Sequence, residues 1–236
     1  MLRLLPLVVA LVMAWLWWQG SSWHTRRSLL KHSKPLSDPV LAAHVACMAD
    51  TLGTGPVEVR VYDHTAINGL ASPDGRVYVT SGLIRRYRAG EIGSAEVASV
   101  IAHEIGHLAL GHAPRRRLDF LGQNAMRLVL GLVIGRFIPF IGPLIATKAA
   151  ALLASLLAAR LSRRDEFEAD AYGAALMHRI GLGHAPQVAL LRKLDADAGR
   201  RGSGMVAWLA SHPPVPDRIA AIETLAKDWP APSLPD

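Results

Sequence analysis

The sequence predicts a mostly helical protein with a small β-sheet, in the α+β class. Two short segments with alternating apolar residues are typical of strands, whereas the second half of the chain carries almost only helical patterns. An apolar fraction of 51% can build a core, which excludes a disordered chain, and a single Cys excludes a disulfide framework. The 236 residues leave room for one domain of about 200 residues after an N-terminal segment.

The N-terminal segment is predicted to be a membrane anchor. Residues 4–18 are uncharged, and a helix over residues 2–23 would extend about 33 Å, enough for a hydrocarbon core of about 30 Å. Four Trp residues lie towards its C-terminal end, as in an aromatic belt, and no Ala-x-Ala site follows. We therefore expect residues 1–23 to be an uncleaved anchor, with a signal sequence as the alternative, followed by a basic linker over 24–36.

Apart from one helix over 37–52, the strands are expected before the helices. Residues 57–62 alternate as a strand, and residues 66–71 and 76–80 form a hairpin around the Ser-Pro-Asp-Gly turn at 72–75. These two or three strands would make a small sheet. Helical patterns then cover residues 37–52, 93–113, 162–180, 185–198 and 215–228, with two further apolar helices before residue 161.

Those two helices contain a second apolar stretch, residues 128–146. Arg136 lies near its centre, among two Pro and three Gly. An arginine at mid-membrane costs about 2.5–3.5 kcal/mol, and Pro and Gly break a continuous helix. The sequence therefore predicts an apolar helical hairpin over 118–161 that packs on the domain or enters the membrane surface, with a full span as the alternative.

The helix predicted over 93–113 carries the motif His-Glu-Ile-Gly-His at 103–107. Side chains four residues apart emerge on one helical face, so His103 and His107 can bind one metal ion. Glu104 flanks that position without ligating, and there a carboxylate can take a proton from a water molecule. Because chance would produce the pattern only about 0.01 times in such a chain, the motif indicates a metal site.

A catalytic zinc ion needs a third protein ligand and an open position. Glu166 and Asp170 lie four residues apart, on one face of a predicted helix, whereas Glu168 points about 200° away from Glu166. Glu166 can ligate, and Asp170 can hydrogen-bond a ligand imidazole and fix its tautomer. Acidic pairs at this spacing usually form a solvated face, but after the His pair this one is the best complement in the chain.

Three motifs follow one another along the chain: His-Glu-Ile-Gly-His at 103–107, Glu-x-x-Ala-Asp at 166–170, and Ser-His-Pro-Pro at 211–214 followed by Arg218. Together they resemble the zinc metallopeptidase family that includes the HtpX-like proteases and the CAAX prenyl endopeptidases. The resemblance covers residues 37–228, and it implies a gluzincin-type domain that holds one zinc ion per chain. A Pro-rich tail, residues 229–236, follows the domain.

The resemblance also implies how substrate would bind. It places the edge strand of the small sheet beside the cleft, where an extended peptide could bind by β-augmentation. We therefore expect Asn68, Val77, Tyr78 and Val79 to contact substrate.

The loop at 211–214 holds a further candidate. His212 precedes two Pro residues in an extended loop that the resemblance places near the cleft, so it is predicted to stabilise the oxyanion or act as a lid, with a structural role as the alternative. Arg218 is a second candidate for the oxyanion. His112 lies 140° around the helix from His107 and is predicted to be structural.

The predicted partners are a lipid bilayer and unfolded or membrane-associated proteins. The resemblance favours a bacterial inner-membrane protein with its catalytic domain on the periplasmic side, although the positive-inside rule alone would place that domain in the cytoplasm. The chain has a net charge of +7, but its Arg clusters lack interleaved aromatic residues, so nucleic acid is not expected. The oligomeric state is not predicted.

The predicted function is that of a membrane-anchored zinc metalloendopeptidase in envelope protein quality control. The alternative is a non-catalytic zinc-binding chaperone or interaction module on the same scaffold. The presence of Glu104 favours the enzyme, because a structural zinc site gains nothing from a general base beside an open position.

Overall fold

The computed structural model of the chain describes residues 27–72, 74–112, 142–201 and 214–232. The predicted class is confirmed, since these residues form mostly helices around one four-stranded sheet. In chain order the elements are β1 (Ser33–Pro35), α1 (Pro39–Leu52), β2 (Val59–Tyr62), β3 (Gly69–Ala71), β4 (Val77–Thr80), α2 (Ser81–Arg88), α3 (Ser94–Ala109), α4 (Gly142–Arg179), α5 (Ala185–Arg201) and α6 (Val215–Ala226).

The sheet has the strand order β1-β2-β4-β3. The predicted hairpin is confirmed, because β3 and β4 are antiparallel with Gly69 opposite Val79. β2 pairs with β4 in parallel, and β1 pairs with β2 antiparallel. The prediction of two or three strands was too low, since Ser33–Pro35 forms an edge strand within the stretch predicted to be a basic linker. Three residues that include a Pro give no strand signal by themselves.

This strand order corrects the predicted substrate-binding strand. β4, which contains Val77, Tyr78 and Val79, is an interior strand with a neighbour on each side, and these three residues are buried. A peptide cannot add to a strand whose two edges are already paired. The edge on this side of the sheet is β3, which follows Asn68 directly.

Helix α3 lies at the centre of the described domain. Each residue from Glu96 to His107 is buried, and the helix contacts the sheet at β3 and β4 as well as α1, α4 and α5. The helix begins after Gly93, whose main-chain N–H donates to Glu96 Oε2 at 2.6 Å. It ends at Ala109, four residues before the predicted end. A helix buried on all sides keeps its side chains in one fixed environment, which suits a site built on it.

Helix α4 differs from the prediction. One continuous helix runs from Gly142 to Arg179, with no boundary between residues 161 and 162, where two separate helices were expected. The sequence explains this continuity. No Pro follows Pro143 within this helix, and the next helix-weakening residue, Gly173, lies well beyond residues 161 and 162. Helix α2 was not predicted; Thr80 Oγ1 caps it by accepting from Leu83 N at 3.4 Å.

Helices α3 and α4 approach each other closely through two glycines. A Cβ atom at Gly106 would lie 3.1 Å from the main-chain oxygen of Ala169, and one at Gly173 would lie 3.1 Å from the main-chain nitrogen of His103. Both distances are shorter than ordinary van der Waals contact, so a side chain at either position would push the helices apart. The close crossing brings the acidic part of α4 against the His pair of α3.

Several predicted features lie outside the described residues. These are the N-terminal segment 1–23, the part of the apolar hairpin before residue 142, and the loop with His212. Across the ranges that the structure does describe, no helix combines the length and the apolar character that a bilayer crossing requires.

Candidate metal centre

Three side chains converge between α3 and α4. His103 Nε2 lies 3.2 Å from His107 Nε2. Glu166 Oε2 lies 3.4 Å from His103 Nε2, and Glu166 Oε1 lies 3.4 Å from His107 Nε2. All three residues are buried. A tetrahedral zinc ion with ligand bonds of about 2.0–2.1 Å separates its ligand atoms by about 3.3 Å. The donor types and their spacing therefore fit zinc, and the structure brings the three predicted ligands together.

The centre favours a positive charge. Burial alone would lower the pKa of His103, but its hydrogen bonds with Asp170 and Glu166 outweigh burial and raise the pKa to about 9. A buried imidazole with such a pKa lies in an environment that stabilises a cation. A metal ion on Nε2 would supply the same charge in place of the proton.

Asp170 orients His103 from the side opposite the centre. Its Oδ1 atom lies 3.0 Å from His103 Nδ1, so that the imidazole presents Nε2 to the other two ligands. Gln187 Nε2 donates to the same oxygen at 3.1 Å. Burial would raise the pKa of Asp170, but the guanidinium of Arg218 and the contact with His103 lower it to about 2, so this carboxylate is ionised.

Arg218 holds Asp170 in turn. Its Nε donates to Asp170 Oδ2 at 2.5 Å and its Nη2 donates to Oδ1 at 2.6 Å, and the residue is only 1% exposed. The oxyanion role expected for Arg218 does not fit this position. The guanidinium lies behind Asp170, on the Nδ1 side of His103, whereas the ligand atoms converge on the Nε2 side.

Glu104 follows the ligand His103 in α3 and lies against the edge strand β3. The residue is buried, and a Cβ atom at Gly69 of β3 would lie 2.8 Å from its Cγ and Oε1 atoms. It is not one of the three converging ligands, which suits a carboxylate that handles protons. Asn68, just before β3, accepts from Gly69 N through its Oδ1 atom at 3.0 Å.

His112 contacts a ligand, which the sequence did not predict. Its Nδ1 lies 2.8 Å from His107 Nδ1, and its Nε2 lies 3.2 Å from Glu168 Oε2. The angle of 140° assumed a helix through residue 112, but α3 ends at Ala109 and Gly111 has a φ of 65°. Glycine in this left-handed conformation commonly ends a helix, so the Leu-Gly-His sequence was the available signal. Gln187, which supports Asp170, was also missed.

The comparisons with known proteins identify the family of the chain. The model of the family described as "Peptidase family M48" matches residues 35–226.

The chain belongs to peptidase family M48.

Among its curated relatives, the M48 chain is 31% identical to "Metalloprotease LoiP" of Escherichia coli (strain K12), over 69% of this chain and 63% of LoiP. It is 29% identical to "Protease HtpX" of Xylella fastidiosa (strain 9a5c), over 82% of this chain and 75% of that protein. It is 31% identical to "Protease HtpX" of Xanthomonas campestris pv. campestris (strain B100), over 74% of this chain and 68% of that protein. The chain thus spans just under two thirds of the length of LoiP.

The predicted family is confirmed by these matches. The names of the relatives support a metalloprotease, and the family makes a metal ion at the centre of this M48 chain an expected component.

Proposed function

We propose that the chain is a zinc-dependent endopeptidase that hydrolyses peptide bonds within protein substrates. The observation that carries the proposal is the separation of roles around one centre. Three side chains converge as ligands, while Glu104, which follows the ligand His103 in α3, lies against the edge strand β3. A purely structural zinc site uses a closed set of four protein ligands, whereas a catalytic one has three and an open position.

The chemistry follows from these positions. Bound zinc would polarise the scissile carbonyl and lower the pKa of a water molecule beside it. Glu104 takes the proton from the attacking water and then gives it to the leaving amine nitrogen, as a general base and then a general acid. Asp170 and Arg218 keep the His103 ring in one orientation throughout, so that the ligand set does not rearrange during the reaction.

The edge strand β3 is the proposed substrate-binding strand. Asn68 and Ser72 hydrogen-bond towards β4 through their main chains, so Leu70 does the same in an antiparallel ladder. The main-chain groups of Gly69 and Ala71 then face the edge that no other strand of the described residues pairs with, and the Gly69 N–H also donates to Asn68 Oδ1. A peptide paired there would lie next to Glu104, because Gly69 touches that residue.

This mode of binding favours unfolded substrates. Main-chain pairing needs an extended segment, which a folded protein rarely exposes, and it depends little on the substrate sequence. Unfolded or membrane-associated proteins are therefore the proposed substrate class, with envelope protein quality control as the proposed setting.

The proposed location is a bacterial inner membrane, with the catalytic domain on the periplasmic side and residues 1–23 as the anchor. The apolar length and the Trp-rich end of this segment support the proposal. A chain without residues 2–23 should leave the membrane fraction and bind anionic vesicles only weakly and in a salt-sensitive way, through the apolar segment 128–146 and its flanking Arg residues. Flotation with vesicles at low and high salt measures this. Detergent-requiring association of the truncated chain at high salt would contradict a single anchor.

The activity itself is tested with Glu104→Gln. The ligands remain and the base is lost, so the variant should hold as much zinc as the wild type and cleave an unfolded polypeptide at least 100-fold more slowly. Metal analysis and a cleavage assay on the same preparation measure both quantities. Turnover near the wild-type rate would refute the mechanism, and a wild-type protein that binds zinc without cleaving would favour the chaperone alternative.

A further inference from the structure

We propose that His112 is a positioning residue for the metal centre. It accepts a hydrogen bond from the ligand His107 and connects that ligand to Glu168. The two ligand imidazoles would then be oriented by different partners, one by a carboxylate and the other by a second imidazole. This inference rests on the proposed zinc site and names residues that determine its affinity.

The first step is the position of His112. The chain turns back after α3, through Gly111, and places the imidazole of His112 in a buried position that is only 1% exposed. Its ring centroid lies 5.0 Å from that of His107 with an interplanar angle of 70°. The shortest contact joins the two Nδ1 atoms at 2.8 Å. A contact between two imidazole nitrogens at this distance is a hydrogen bond that one ring donates and the other accepts.

The second step is the direction of that bond. His107 Nε2 faces His103 and Glu166, so it must offer its lone pair to a metal ion there. The proton of neutral His107 is then on Nδ1, and His107 donates to His112. His112 Nδ1 therefore accepts, and its own proton is on Nε2, which faces Glu168 Oε2 at 3.2 Å. The tautomer of His107 thus fixes the tautomer of His112, and the N–H group of His112 donates to the carboxylate of Glu168.

A second cation beside His112 is the competing interpretation. His112, Asp165 and Glu168 each offer one ligand atom, and these atoms lie within 4.8 Å of one another. A cation on His112 Nε2 would, however, leave the His112 proton on Nδ1. Two N–H groups would then face each other across 2.8 Å, one from each imidazole. Ligation by His107 at the first site thus excludes ligation by neutral His112 at the second, and Glu168 already accepts from Arg164 Nε at 2.8 Å.

The difference between the two ligands has a consequence for metal binding. His103 donates directly to an ionised carboxylate, that of Asp170, whereas His107 donates to a neutral imidazole. Without His112, the buried His107 would lose the hydrogen bond that its N–H group makes to His112 Nδ1, and with it a contact that restrains the rotation of the ring. Loss of such a partner of a ligating histidine typically weakens metal affinity by about 10–100-fold.

The test compares substitutions at residue 112 in the full-length protein, purified in detergent. Asn places Oδ1 where His has Nδ1 and can accept from His107, whereas Leu has no acceptor and Gln carries its amide one bond further out. We expect His112→Leu and His112→Gln to weaken zinc binding by about 10–100-fold and His112→Asn to retain most of the affinity. Competition with a chromophoric chelator gives the dissociation constants, and the thermal midpoint in excess chelator gives the stability of the metal-free protein.

The outcomes separate positioning from packing. His178→Leu is the matched control, because His178 packs on Trp229, outside the metal centre, and should leave zinc affinity unchanged. Equal affinities of the Asn and Gln variants would overturn the proposal, and so would a wild type that binds two zinc ions per chain. If the Leu variant does not fold, the Asn and Gln pair carries the test. A wild type that binds no zinc would overturn the proposed function as well, whereas zinc-replete variants that all match the wild type would overturn only the role of His112.

Discussion

Gly69 lies directly against Glu104. A Cβ atom at residue 69 would be 2.8 Å from the Glu104 Cγ and Oε1 atoms and equally close to Val100 Cγ1. A Cβ atom at that distance would force Glu104, Val100 or the strand to shift, so the edge strand packs closely against the proposed general base. Glycine at this point therefore sets the distance between the proposed substrate strand and the base.

Gly69→Ala should reduce cleavage without removing zinc. The new methyl group must displace the Glu104 carboxylate or the strand, and a catalytic group misplaced by about 1 Å can cost about 100-fold in rate. The rate of cleavage and the zinc content of one preparation measure the two effects. Gly55→Ala is the control, because nothing lies within 4 Å of a Cβ built there. An Ala variant as active as the wild type would show that Glu104 is not held by this contact.

Ala71→Pro should weaken substrate binding while leaving the sheet intact. The Ala71 N–H faces the open edge of β3, so proline removes a donor to the substrate but not one to β4. We expect kcat/KM for an unfolded polypeptide to fall about 10-fold, since one main-chain hydrogen bond is worth about 0.5–1.5 kcal/mol and the ring also obstructs pairing. Leu70→Pro is the matched control; it removes a ladder bond and should lower stability instead. Unchanged kcat/KM in the Ala71 variant would place the substrate elsewhere.

Arg218→Leu should destabilise the protein even without metal. The substitution leaves the ionised, buried Asp170 without its bidentate partner, and breaking a buried ion pair from one side costs about 3–5 kcal/mol. Chemical unfolding in excess chelator measures this free energy. Arg192→Leu is the control, because Arg192 and Glu223 form an exposed pair that is worth about 0–1 kcal/mol. A variant that lost turnover but kept its stability would instead support the oxyanion role that the sequence predicts for Arg218.

Some of the site follows from the sequence alone, because it depends on local geometry. His103 and His107 share a face wherever residues 103–107 are helical, and Glu104 is then placed beside them. The same rule puts Glu166 and Asp170 together on one face of α4. Local turn chemistry likewise predicts the β3–β4 hairpin from the signal at 72–75.

The rest depends on contacts between distant parts of the chain. That Glu166 reaches the His pair is decided by the helix crossing at Gly106 and Gly173, and no periodicity in either helix encodes which partner it meets. The pairing of β4 with β2 makes β4 an interior strand. The sequences of these two strands do not show which of them lies at an edge of the sheet. A buried charge such as Arg218 is tolerated only beside Asp170, so its role became apparent only when the fold joined α6 to α4. The sequence by itself determined the chemistry that each helix can offer, whereas the tertiary structure decided which groups meet, because long-range packing selects partners that local propensity cannot distinguish.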